Sequence, residues 1–345
     1  MNCKDLLMRL SQAVGVSGRE DSVTAIAARE LETIGEVTRS PLGDLICTVR
    51  KPEQGQKNFM LDAHVDEIGM IVTWIDDEGF LKVSPVGGFD RSLLLAAQVA
   101  VHTKEGTLPG IICSIPPHLQ SGEAKNPQFE EIYIDVGYNK EEAQKRVSPG
   151  DMVTLVTPTR EIHGGFITGK AIDNRSSCAA VMRAAELLKD EKGGWGLSVT
   201  LTTREEVGGM GAQTAVYTIK PDIAVAVETT TAADIGGVTE EKRVCFLGKG
   251  PVVSFMDKGT IYDKRLYQLA LDTAAQHKIK AQPKLGVFGG NNAGSMHQAI
   301  GGVRPVGLSM PCRYLHTPSC VLKEEDITAT YQLLTKLSSV YAVCD

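Results

Sequence analysis

The chain reads as an α/β protein interrupted by a small β-rich insert. Three observations support that reading. From Gly164 onward, short apolar runs alternate with amphipathic helical stretches, the pattern of strands interleaved with helices. A similar mixture precedes Met70. Between Met70 and about Thr157 the texture changes to short β-branched runs broken by Gly and Pro turns, which suits a small β unit rather than continued α/β layers.

The elements follow in order. Residues 4–14 and 19–34 are expected to be helical, joined by Gly15-Val16-Ser17-Gly18. Ser17 is placed to cap the second helix, whose first turn carries Glu20 and Asp21. Leu45 to Val49 and Phe59 to Ala63 read as strands. The insert contains QVAVHTKEG, PGIICSI, EIYIDVG and DMVTLVT, with one helix from Lys140 to Arg146. Thereafter the pattern predicts helices at Asn174–Lys189, Gly209–Thr218, Lys264–His277 and Glu325–Val343. Strands fall between them at Leu197–Thr203, Ile223–Val227 and Val303–Ser309.

A chain of 345 residues can bury a sizeable core and make two domains. The net charge of -6, with no Lys/Arg block, argues against a nucleic-acid partner. The start, MNCKDLLMRLSQAV, lacks the apolar core of a signal peptide. The greasiest stretch, Leu93 to Val101, is too short to span a membrane. Eight cysteines occur singly, without a CxxC. That fits a reduced, cytoplasmic setting better than a disulfide framework.

Metal-compatible side chains recur at the predicted strand ends and helix starts. His64 and Asp66 end the run LDAHVD and share one face by alternation. Asp66 can then accept the second N–H of His64 and orient the ring. Asp173 opens a helix, as a cap or as a carboxylate bridging two metals. Glu205 and Glu206 follow a strand and precede Gly208-Gly209. Both reach one site only if the chain bends, which the glycines permit. Glu206 would then bind a metal and Glu205 would take a proton from metal-bound water. Glu228 ends an apolar strand and His316 follows another. Each signal has a mundane reading as a cap, turn or exposed strand end. Together they suggest a two-metal site with His, Asp and Glu ligands, suited to zinc, cobalt or manganese.

These residues resemble the co-catalytic metallo-aminopeptidases of the tetrahedral (deblocking, glutamyl) type, often labelled endoglucanase or cellulase. The likeness runs nearly end to end through GVSGRED, LDAHVDEIGMIV, PVGG, PGIICSIPPHL, IDVG, GKAIDNR, TTREEVGGMGA, VAVETTTAAD and CRYLHTPS. It implies a three-layer α/β/α metallopeptidase domain, residues 1–70 and 163–345, with a mostly parallel mixed sheet. Residues 71–162 would form a barrel-like dimerisation domain. The resemblance assigns His64 and Glu228 to one metal, Glu206 and His316 to a second, and Asp173 to both. It makes Glu205 the general base, places Asp66 behind His64, and implies a cis Asp173–Asn174 peptide. Dimers would assemble into a hollow tetrahedral dodecamer acting on short peptides. The chain departs from the family's Gly-Gly-Thr-Asp-Ala-Gly with Gly289-Gly290-Asn291-Asn292-Ala293-Gly294, which bears on substrate preference. Glu228 also stands where many relatives use aspartate.

The leading expectation is an aminopeptidase that removes N-terminal residues from peptides. A deacylase or carboxypeptidase on the same metals, or a non-catalytic relative, are the alternatives. A glycoside hydrolase is disfavoured, because sugars stack on aromatic faces and only Trp74 and Trp195 provide the largest of these. Arg313, Asn291 and Asn292 are candidates for contact with the first substrate residue, although Arg313 reads equally well as a salt-bridged strand-end residue.

Overall fold

The structure is a computed structural model and describes residues 1–116, 119 and 127–342. His118, in the PPHL motif, and Val343, the expected end of the last helix, lie outside the described residues. The first elements are α1 (Cys3–Gln12), α2 (Asp21–Leu31), β1 (Glu36–Arg39), β2 (Leu45–Arg50) and β3 (Lys57–His64). The insert follows as β4 (Gly69–Ile75), β5 (Leu81–Val86), β6 (Gln98–Thr103), β7 (Gly106–Ile112), β8 (Tyr133–Asp135), α3 (Lys140–Arg146) and β9 (Met152–Leu155). Next come β10 (Arg160–Ile162), β11 (Phe166–Gly169), α4 (Ile172–Leu188), β12 (Trp195–Thr202), α5 (Met210–Ile219) and β13 (Ile223–Thr231). The chain ends with β14 (Val252–Ser254), α6 (Lys264–Gln276), β15 (Gln282–Pro283), α7 (Ala293–Met296), β16 (Arg304–Cys312), β17 (Cys320–Lys323) and α8 (Glu324–Ala342).

Eight strands form a mixed sheet in the order β1-β2-β12-β3-β13-β16-β14-β15. The four central strands, β12, β3, β13 and β16, run parallel. They are buried on both faces, as parallel strands covered by helices must be. Alternation along β13 shows how the layers divide. Val225 and Val227 join the large core beneath α1, α4 and α8, whereas Ala224 and Ala226 pack with Ala212 and Val216 of α5 and with Met296 of α7. Helices therefore cover both faces, giving the expected three-layer architecture. No helix among the described residues is long and apolar enough to cross a membrane.

The insert closes into a barrel in the order β4-β5-β8-β7-β6-β9. Met70 and Val72, Leu81 and Val83, and Val99 and Val101 point inward at alternating positions and fill it. Closure leaves none of these strands with the unpaired edge of an open sheet. β10 takes a different place. It pairs with β11, which pairs with β17, in a small three-stranded sheet outside the barrel.

Local differences from the sequence reading have physical causes. Ser17 does not cap α2, whose N-cap is Glu20; the Ser17 hydroxyl donates to Asp66 Oδ2 at 2.6 Å instead. α2 stops at Leu31 rather than at residue 34. Strands β1, β14 and β17 are only three or four residues long, below the length at which periodicity identifies a strand.

Candidate metal centre

The central parallel strands bring their carboxyl ends together, where open α/β sheets receive ligands. His64 is the last residue of β3 and stands in register with Thr202 of β12. Glu228 lies on neighbouring β13, which continues to Thr231 instead of ending at Val227. Asp173 enters at the start of α4, where the Asp173–Asn174 peptide is cis and both residues leave helical geometry. Its carboxylate is not a helix cap; α4 has Ala171 at that position. Glu205 and Glu206 come from the turn between β12 and α5. The bend that points them inward begins at Arg204, with a positive φ of 58°. Gly208 and Gly209 also have positive φ, but they serve the exit into α5, where Gly209 is the N-cap. His316 comes from the turn between β16 and β17.

These side chains form two clusters joined by Asp173. Asp173 Oδ1 is 3.4 Å from His64 Nε2, and that nitrogen is 3.4 Å from Glu228 Oε2. Asp173 Oδ2 is 3.1 Å from His316 Nε2, which is 3.4 Å from Glu206 Oε1. Ligand atoms of His64, Asp173 and Glu228 lie within 4.8 Å of one another, as do those of Asp173, Glu206 and His316, and a third set, His64, Glu205 and Glu206, links the two clusters. Glu205 Oε2 stands farther off, 3.9 Å from His64 Nε2. Glu205 is also the more accessible of the paired glutamates, 17% exposed against 4% for Glu206.

Asp66 supports both clusters from behind. Its Oδ1 accepts the Glu205 N–H at 3.0 Å, and its Oδ2 accepts the Glu206 N–H at 3.1 Å. Oδ1 also lies 3.4 Å from His64 Nδ1. One fully buried carboxylate thus orients a ring and holds the turn that carries both glutamates. On the other side, Asn174 Nδ2 donates to Glu228 Oε2 at 2.8 Å and to the Val227 carbonyl at 2.8 Å.

The electrostatics suit cations. Burial opposes a charged imidazole at His64, but Glu228, Asp173, Asp66 and Glu205 outweigh it and hold its pKa well above the ordinary range. His316 is likewise pushed up to about 11, burial opposing and Asp173 and Glu206 prevailing. Burial raises Glu206, partly offset by His316, and pushes Glu205 up to about 8 despite the opposing pull of His64. Asp173 goes the other way: burial is outweighed by its two imidazole partners, which hold it well below the usual carboxylate range. Asp66, Asp173, Glu205, Glu206 and Glu228 each pair with one or both imidazoles. Burial also holds Glu228 well above the ordinary carboxylate range, so without a cation the excess of carboxyl groups over imidazoles is met by bound protons. Divalent cations held by nitrogen and oxygen donors would take the place of those protons, and this donor set fits them.

Residues 43–333 match the family model described as M42 glutamyl aminopeptidase. The chain belongs to this family. As an M42 member it is a peptide-bond hydrolase, an aminopeptidase that uses divalent metal. It is 29% identical to the glutamyl aminopeptidase of Lactococcus lactis over 94% of this chain and 93% of that one. Aminopeptidase APDkam598 from Desulfurococcus kamchatkensis superposes with a TM-score of 0.92 at 31% identity, covering 98% of this chain and 94% of that one. The Pyrococcus horikoshii TET1 peptidase, described as able to assemble into a tetrahedron or a large octahedral shell, gives 0.86 at 28% identity, with 97% and 99% covered.

His64, Asp66, Asp173, Glu205, Glu206, Glu228 and His316 all lie in or directly behind the cluster. The candidates for substrate contact have other partners. Arg313 is held by Asp234 through two contacts of 2.7 and 2.9 Å, in keeping with the salt-bridge reading. Asn292 is fully buried behind the first cluster, its backbone N–H 3.3 Å from Glu228 Oε1. Trp195 is buried against Phe59 and Arg50, and Trp74 sits exposed on the barrel strand β4. The sequence reading missed Asn174 as a partner of Glu228, and gave the glycines of PVGG no role at the site. A β-carbon on Gly87 would lie 2.7 Å from Ile68 Cγ2 and 3.2 Å from Glu206 Cβ, and one on Gly88 would lie 3.4 Å from His316 Nδ1. The insert thus reaches the second cluster through a loop that has no room for a side chain at Gly87, whereas a β-carbon at Gly88 would only touch His316. The Gly-Gly pair was the available signal; its neighbours were not readable.

Proposed function

We propose that this M42 member is a two-cation aminopeptidase. His64 and Glu228 would hold one ion, Glu206 and His316 the other, and Asp173 both. The observation that carries this reading is the placement of the Asp173 oxygens, one 3.4 Å from His64 and the other 3.1 Å from His316. Bound zinc, cobalt or manganese supplies Lewis acidity toward the scissile carbonyl and lowers the pKa of water. Glu205 fits the general base: it stands beside both clusters and is more accessible than Glu206. It takes a proton from the attacking water and delivers it to the leaving amine. Asp66 is a positioning residue, because it is fully buried and acts through His64 and the Glu205–Glu206 turn. The sugar-cleaving alternative finds no support in the two tryptophans, one in the core and one on the barrel.

The barrel would serve as the dimerisation unit, with the discontinuous remainder forming the catalytic domain. Assembly of copies into a closed shell is supported by the likeness to the TET1 peptidase. The test of activity is hydrolysis of aminoacyl-anilides and matched N-acetylated controls by chelator-stripped protein given each metal in turn. Metal-restored cleavage restricted to free amino termini is expected. Equal anilide release from acetylated controls would show that no free amino terminus is required and overturn the aminopeptidase reading, no cleavage with any metal would favour a deacylase or a non-catalytic role, and activity that persists in chelator would overturn the two-cation reading.

A further inference from the structure

Asn292 lies just ahead of α7, fully buried. Its Nδ2 donates to Asp62 Oδ2 at 2.8 Å and to Thr202 Oγ1 at 2.9 Å. Its backbone N–H donates to Glu228 Oε1 at 3.3 Å. Asp62 is fully buried as well, and its other oxygen accepts from Thr200 Oγ1 at 2.5 Å. The polarity of the pair follows from chemistry. An ionised carboxylate can only accept, so the amide must present its amino group to Asp62. The Asn292 carbonyl oxygen then has no hydrogen-bond partner, a cost that the two donated bonds offset.

We infer that Asn292 is a positioning residue for Glu228, locked in place by Asp62 and Thr202. This inference rests on the two-cation reading above. Asp62 and Thr202 belong to adjacent parallel strands, β3 and β12. Bonding to both anchors the loop ahead of α7 and aims its N–H at Glu228 Oε1. Asn174 holds the opposite oxygen, Oε2, at 2.8 Å. Glu228 is thereby fixed from two sides with Oε2 facing His64. Asparagine at position 292 is then explained by its neighbour rather than by substrate. An aspartate there removes the amide donor to Asp62 and Thr202, and two buried carboxyl groups in contact repel unless they share a proton. In place of two donated bonds the loop keeps at most that shared proton toward Asp62, which loosens the aim of its N–H at Glu228.

The experiment compares the parent with Asn292→Asp, Asp62→Asn and the swap D62N/N292D. The swap restores one donor and one acceptor, and Thr202 can donate its hydroxyl to the new carboxylate. Chelator-stripped proteins are titrated with zinc by calorimetry, and their thermal midpoints are recorded. Asn292→Asp is expected to weaken one of two zinc equivalents at least tenfold while leaving the other within threefold. The swap is expected to recover both. A residue with only a general structural role would lower the midpoint without this selective loss. The inference is overturned if Asn292→Asp keeps two equivalents at parental affinity. It is also overturned if the swap fails to fold or binds no better than Asn292→Asp. A parent that takes up fewer than two equivalents would instead sink the two-cation reading. The pair would then be judged by whether the swap regains the midpoint that Asn292→Asp loses.

Discussion

Replacing Asp66 by asparagine tests how one buried carboxylate organises the whole centre. The shape is preserved, but one of the two terminal atoms becomes an amino group that cannot accept. If that group replaces Oδ1, it faces the Glu205 N–H and His64 Nδ1. The ring then keeps only the Asp66 backbone carbonyl, 3.2 Å from Nδ1, as an acceptor and loses the carboxylate that helps to hold it. If it replaces Oδ2, it faces the Glu206 N–H and loses the bond from Ser17. Either rotamer removes at least one bond to a charged acceptor in a dry site, worth about 1.5–3 kcal/mol, and leaves a buried N–H unpaired at a further cost of about 1–3 kcal/mol. A loss of about 3 kcal/mol in kcat/KM is a fall of about two orders of magnitude. The assay is hydrolysis of the best aminoacyl-anilide at several metal concentrations. Both the metal dependence and kcat should worsen, since the carboxylate touches residues of both clusters. Ser17→Ala, which removes a single donor, should cost only about 1 kcal/mol. An Asp66→Asn enzyme within about threefold of the parent would refute the reasoning.

Glu205→Gln should retain its bound metal and lose roughly 100- to 10,000-fold in kcat, measured by metal analysis alongside turnover; surviving activity would remove Glu205 from the base role. Gly87→Ala introduces a β-carbon at a φ of 83° and 3.2 Å from Glu206 Cβ. It should lower the thermal midpoint, at a conformational cost of about 1–2 kcal/mol, and weaken metal binding, whereas unchanged binding would show that the insert's loop does not shape the second cluster. His102 supplies a pH test away from the centre. Burial lowers its pKa below 6.5, with Lys170 adding and Glu67 opposing. The folded state therefore holds the proton less tightly than the unfolded chain. The stability contribution is complete above about pH 6.5 and is lost as the pH falls below it. Denaturant unfolding at pH 7.5 and 5.5 should show a larger loss for the parent than for His102→Gln; equal losses would refute the assignment.

Periodicity and turn chemistry made the long elements legible: the α/β alternation after Gly164, the strand Ile223–Val227, and the barrel runs between Met70 and Thr157. They worked because β13, buried on both faces, has to be continuously apolar, and because barrel strands alternate. The order of His64, Asp173, Glu205-Glu206, Glu228 and His316 at element ends was equally visible. Short strands such as β14 and β17 carry too few residues for a period to register.

Only the tertiary structure decided what each polar residue touches. Ser17 looked like a helix cap and proved to be a donor to Asp66. The turn at Glu205 depends on the φ of Arg204, which no residue preference announces. Asn292, 230 positions from Asp62, is paired with it because parallel strands and a returning loop meet at one place. Local sequence determines which way a side chain faces along its own element. Its partner is set by strand order and register, which depend on how the whole chain packs.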